Sequence, residues 1–170
     1  KNLKTNQDFA CLAHPVAKQR GTALFCVFDG HGWRGHDVSQ EVLYSIHHEL
    51  ERDHRKLLAT PGPALASAFV MANERLKALC GFDMEAKDRP SKIEVDARDS
   101  GTCAIVAFLQ GDELSVAGSG DVRCVLGTTH AKGLAAVPLS TDHKVDLPMC
   151  APSPEAAPPD SPSPTRGDRH

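Results

Sequence analysis

At 170 residues, with 41% apolar and 24% charged side chains, the chain has the size and composition of one soluble domain with a real core. Its formal net charge of −3 gives no electrostatic case for nucleic acid or an anionic membrane surface, and no apolar run approaches the ~20 residues of a membrane span. None of the six cysteines forms a C-x-x-C pair, and Cys11, Cys26, Cys103 and Cys124 lie inside apolar runs. That favours free thiols and a reducing compartment, cytoplasmic or nuclear, over a disulfide framework or a zinc site. No signal peptide stands at the start, and the chain begins at Lys1 rather than Met, so its true N-terminus is expected upstream and targeting stays unread.

Asn6-Gln7-Asp8 leads into an apolar segment, Phe9 to Ala13. A polar loop with Pro15 and Gly21 follows, and then Ala23 to Gly32 reads ALFCVFDGHG. The short apolar run Leu24 to Phe28 predicts a strand buried on both faces, paired antiparallel with the first. It stops at Asp29-Gly30-His31-Gly32, which sets a carboxylate and an imidazole at the mouth of a strand between residues without Cβ atoms. Such a carboxylate suits a hard divalent cation. The plainer alternative is a strand-to-helix turn in which Asp29 caps the helix and His31 is solvated, since D-G is a common turn dipeptide.

Val38, Val42, Leu43, Ile46 and Leu50 form one stripe of a helix expected over Gly35 to Ala59. His47, His48 and His54 do not make a metal-ligand set, because adjacent helical residues point ~100° apart. Thr60-Pro61-Gly62-Pro63 stops that helix, and a second runs from Ala64 to Cys80 with Leu65, Phe69, Ala72, Leu76 and Leu79 on its face. Phe82 to Arg98 is a polar, acidic connector. Cys103–Leu109 and Leu114–Ala117 flank Gly111-Asp112 as a hairpin, and Val122–Leu126 and Leu134–Leu139 predict further strands. Gly118-Ser119-Gly120 is no phosphate loop, since no G-K-[ST] follows. The seven prolines between Pro148 and Pro164 mark a disordered tail by composition.

Four ordered stretches carry a family resemblance: VFDGHG, SGTCAIVAFL, LSVAGSGDVRCVLG and LSTDHK. Together they resemble the metal-dependent protein phosphatases (PPM, type 2C serine/threonine phosphatases). The resemblance implies an α+β fold, a layered α-β-β-α sandwich of two antiparallel sheets flanked by helices. It is present here as a partial domain over residues 1–148, followed by the tail 149–170. It implies hydrolysis of phosphoserine and phosphothreonine in protein substrates by a water activated between two Mg²⁺ or Mn²⁺ ions. By this resemblance Asp29 would bridge the ions, the Gly30 carbonyl and Asp8 would ligate, and His31 would give the leaving oxygen a proton. Asp96, or its competitor Asp99, matches an accessory metal aspartate.

The family's upstream arginine is replaced here by Lys4, which lacks the bidentate fork for phosphate. Cys103 replaces a threonine or serine and Val122 a serine. The family's later F-G-D and D-G-x-W-D aspartates do not occur after Lys144. The chain is therefore expected to be truncated, with weak or no metal binding and little activity on its own; a monomer is expected. Two other readings stay open. One is a non-catalytic phosphatase-like module that binds partners through its helices or tail; the other is an unrelated α/β domain with chance motifs. Asp121, Arg123, Asp142 and His143 are expected to be structural.

Overall fold

Period-two and period-3.6 apolar patterns meet on one face of a four-stranded antiparallel sheet. The computed structural model describes residues 5–80, 95, 97–130 and 133–144, so Lys4, Asp96 and the Pro-rich tail lie outside the described residues. In chain order the elements are β1 (Phe9–Ala13), β2 (Thr22–Gly32), α1 (Gly35–Arg52), α2 (His54–Ala59), α3 (Pro61–Leu79), β3 (Ser100–Gln110), β4 (Glu113–Ser119), β5 (Val125–His130) and β6 (Gly133–Pro138). The first four strands pair in sequence order, all antiparallel; β5 and β6 form a separate two-stranded sheet. Two antiparallel sheets with helices make the fold α+β, as the sequence predicts.

The core lies between the helices and the sheet. Leu24, Cys26 and Phe28 of β2 and Ala104, Val106 and Phe108 of β3 pack beneath Val38, Val42 and Ile46 of α1 and Leu65, Ala68 and Ala72 of α3. Full burial of the Val, Leu, Ile and Phe side chains among these contributes ~1.5–3 kcal/mol each. The opposite face of β2 departs from the sequence prediction. Phe25 and Val27 stay 45% and 49% exposed, and Leu12 on β1 is 67% exposed. The run is apolar on both faces, but among the described residues the helices cover only one of them.

The predicted helix over Gly35 to Ala59 is broken. Asp53, with φ −112° and ψ 47°, ends α1 and caps α2, accepting a 3.3 Å hydrogen bond from the Lys56 N–H. A side chain that can satisfy the next helix's free N–H groups competes with helix continuation. The third helix starts earlier than predicted, with Pro61 in its first turn, where the missing N–H costs nothing. The β3–β4 hairpin turns at Gly111 with φ +61°. The strand after it begins only at Val125, not at Val122; just before it the Arg123 side chain binds Asp142 and the Cys124 N–H donates to the Ser140 hydroxyl.

Candidate active site

The end of β2 carries the candidate chemistry, and its neighbours hold it rigidly. Asp29, Gly30, His31 and Gly32 stand opposite Cys103, Thr102, Gly101 and Ser100 of β3. On the other side the Gly30 N–H donates to the Gln7 carbonyl at 3.2 Å. That bond continues the β1–β2 register beyond Phe9↔Phe28 and sets Asp8 across from Asp29. Directly opposed residues of an antiparallel pair share a face, and like charges so placed repel unless a cation lies between them. Asp8 and Asp29 thus share the open face, at its rim.

Gln7 ties the turn together. Its Nε2 donates to the Gly32 carbonyl at 2.8 Å, and its own carbonyl lies 2.6 Å from the buried Ser39 hydroxyl. The same hydroxyl is 2.8 Å from the Gly35 carbonyl, so α1 begins where the turn ends. Glycines are obligatory here. A Cβ on Gly30 would strike the Gln7 and Gly35 carbonyls, and Gly32 has φ +86° with the Asp99 carbonyl against it. Thr102 Oγ1 donates to the Asp29 carbonyl at 3.1 Å, and Ser100 Oγ accepts from the Arg34 N–H at 2.8 Å. The Arg34 side chain is ion-paired with Asp37.

His31 is exposed, with its ring over Gly101; a Cβ there would lie 2.6 Å from Nε2. Cys103 stands between two carboxylates. Its thiol donates to Asp121 Oδ1 at 3.4 Å, and burial, with the Asp121 and Asp29 charges nearby, raises its pKa above the ordinary thiol value. Thus Asp121, read as structural in the sequence, reaches the same strand end as Asp29.

The structure therefore brings Asp8, Asp29, Gly30 and His31 to one end of the sheet. Lys4 and Asp96 lie outside the described residues; Asp99 is described, with its carbonyl beside Gly32. Among the described residues, no group of three or more His, Cys, Asp or Glu side chains could hold a metal ion. A cavity of about 280 Å³ lies on the other side of the sheet, between α1, α3 and β3. Among the described residues no carboxylate or imidazole lines it. The roles of Gln7 and Ser39 were not foreseen. Ser39 was detectable as a hydroxyl inside the apolar stripe beside Val38 and Val42; nothing in the sequence marked the Gln7 amide as a tie.

The family profile described as protein phosphatase 2C matches residues 2–149. The chain belongs to the protein phosphatase 2C family. It is 34% identical over 148 residues to an Arabidopsis thaliana protein described as "Probable protein phosphatase 2C 41", covering 84% of this chain and 41% of that one. A second Arabidopsis relative, "Probable protein phosphatase 2C 72", is 36% identical over 147 residues, covering 84% of this chain and 42% of its own length. The chain thus spans about two fifths of the length of these relatives. The fold is similar to that of serine-threonine phosphatase 2C from Toxoplasma gondii, with a TM-score of 0.61 at 20% identity over 85% of this chain and 48% of that one. It is also similar to the serine/threonine phosphatase of Mycobacterium tuberculosis, with a TM-score of 0.55 at 20% identity over 81% of this chain and 48% of that one. Among the described residues no helix is long and apolar enough to cross a membrane.

Proposed function

We propose that this chain carries one part of a metal-dependent protein serine/threonine phosphatase site, acting on phosphoserine and phosphothreonine proteins. The observation that carries the reading is the opposition of Asp8 and Asp29 on one face, beside the Gly30 carbonyl and His31, on a turn tied at both ends. The donor set fits Mg²⁺ or Mn²⁺ in kind, since carboxylate and carbonyl oxygens are what hard cations take. It fits only in part by number, because no third side chain joins these two among the described residues.

Asp29 and Asp8 would hold the cation with the Gly30 carbonyl, and Asp96 would serve an accessory position. When bound, a divalent cation supplies Lewis acidity, drawing charge from phosphoryl oxygens and making a water nucleophilic near neutral pH. The chain's own residues do the rest. Gln7, Ser39 and Thr102 fix the turn so that the carboxylates need no reorganisation. His31, exposed at the rim, would give a proton to the leaving hydroxyl oxygen. Lys4 would meet the phosphate as a point charge.

The test is Mn²⁺ titration of the 170-residue chain with a small aryl phosphate, beside Asp29→Asn. A saturable Mn²⁺-dependent signal, in binding or in turnover, that is lost in Asp29→Asn is expected. With only part of a ligand set the affinity is expected to be weak and turnover slow. Equal behaviour of the two proteins would overturn the reading. It would favour the second reading, a phosphatase-like binding module.

A further inference from the structure

Trp33 is the chain's one tryptophan, and it is 86% exposed immediately after the Asp29–Gly32 end of β2. Its backbone is nevertheless held on both sides: the Gly32 carbonyl accepts from Gln7 Nε2, and the Arg34 N–H is bonded to Ser100 Oγ. An indole on a fixed backbone loses little backbone freedom when something packs on it, and tryptophan is enriched among the residues that dominate binding interfaces. Trp33 lies four positions after Asp29, so their Cα atoms are at most ~14 Å apart. An extended peptide advances ~3.3 Å per residue, so that span corresponds to at most about four positions of a substrate bound at Asp29. The guanidinium of the adjacent Arg34 disfavours a second cation there, even though Asp37 pairs with it.

We propose that Trp33 is a specificity-determining residue, packing against an apolar side chain two to four positions from the phosphoserine of a peptide substrate. This rests on the phosphatase reading of the Asp29 turn. It adds a preference in the flanking sequence that the carboxylates cannot provide.

The experiment uses the 170-residue chain with Mn²⁺ and two labelled phosphoserine peptides, one with leucine and one with alanine at the flanking positions. Binding is read by anisotropy and by Trp33 fluorescence. The leucine peptide is expected to bind roughly tenfold tighter and to shift the indole emission to the blue. In Trp33→Ala the two peptides should bind alike, and Trp33→Phe should restore part of the preference. The exposure of the side chain makes a folding defect in either variant unexpected, and circular dichroism checks it. Equal binding of the two peptides by the unmodified chain, or a leucine preference that survives in Trp33→Ala, overturns the proposal. If that happens while Mn²⁺ binding still depends on Asp29, only the Trp33 proposal falls. If neither peptide binds and Asp29→Asn changes nothing, the phosphatase reading falls with it.

Discussion

Asp142 grips the Arg123 guanidinium through two parallel hydrogen bonds of 2.8 and 2.9 Å, and Lys144 approaches the same carboxylate at 3.6 Å. This pair, with the Ser140 hydroxyl accepting from the Cys124 N–H, closes the base of the β5–β6 ribbon. The Arg123 hydrogen bonds hold the Asp142 carboxyl below its ordinary pKa. A carboxyl depressed in the folded state contributes stability above its unfolded pKa, and that stability is lost as pH falls through the folded value. Asp142→Asn should therefore melt lower than the unmodified protein at pH 7. The gap should narrow steadily in melts taken at falling pH below about 4.

Phe28 and Phe25 sit three residues apart on β2 with opposite fates. Phe28 is fully buried under the helices, so Phe28→Ala should cost about 3–5 kcal/mol in urea unfolding. Phe25→Ser, on the open face, should change stability far less and raise solubility. A large loss from Phe25→Ser would show that this face is covered in solution.

Adding a methyl at Gly30 or at Gly101 should give contrasting results. At Gly30 the neighbours are the Gln7 and Gly35 carbonyls, which cannot move without breaking the turn, so Gly30→Ala should cost at least ~2 kcal/mol. At Gly101 the neighbour is the tip of the exposed His31 ring, which can swing aside. Gly101→Ala should leave the melting temperature nearly unchanged while shifting the His31 ring resonances in NMR.

The Cys26 thiol faces Cys11 across β1 and β2, and burial, with Cys11 beside it, pushes its pKa up to about 12. Because the thiolate is the reactive form, Cys26 should resist iodoacetamide at pH 8 in the folded protein and react once urea unfolds it. Peptide mass spectrometry resolves the site. Alkylation of Cys26 at the rate of an exposed thiol would contradict the burial.

Much of this was legible from pattern alone. The β1–β2 pairing, the Gly111 hairpin and the helical stripes follow from local periodicity and turn chemistry, and the structure has all of them. The break at Asp53 was missed because the apolar stripe stays in phase around it; only the side chain's competition for the Lys56 N–H ends the helix. The two-sided burial of β2 was misjudged because an apolar run gives the strand's character but not what covers each face. At the site, Asp29 and His31 stood out because glycines bracket them. The opposition of Asp8 and Asp29 is a matter of register across an intervening loop, which residue types alone do not specify.

The bare face of the sheet changes how this protein would look in a dye-binding assay. Leu12, Phe25 and Val27 present apolar surface to water on a well-ordered sheet. ANS fluorescence is usually taken as the mark of a loosened, molten state. Among the described residues nothing covers these side chains, so the folded chain offers the dye an apolar surface, and a bright signal should coexist with a cooperative melt and dim, not brighten, as the chain unfolds.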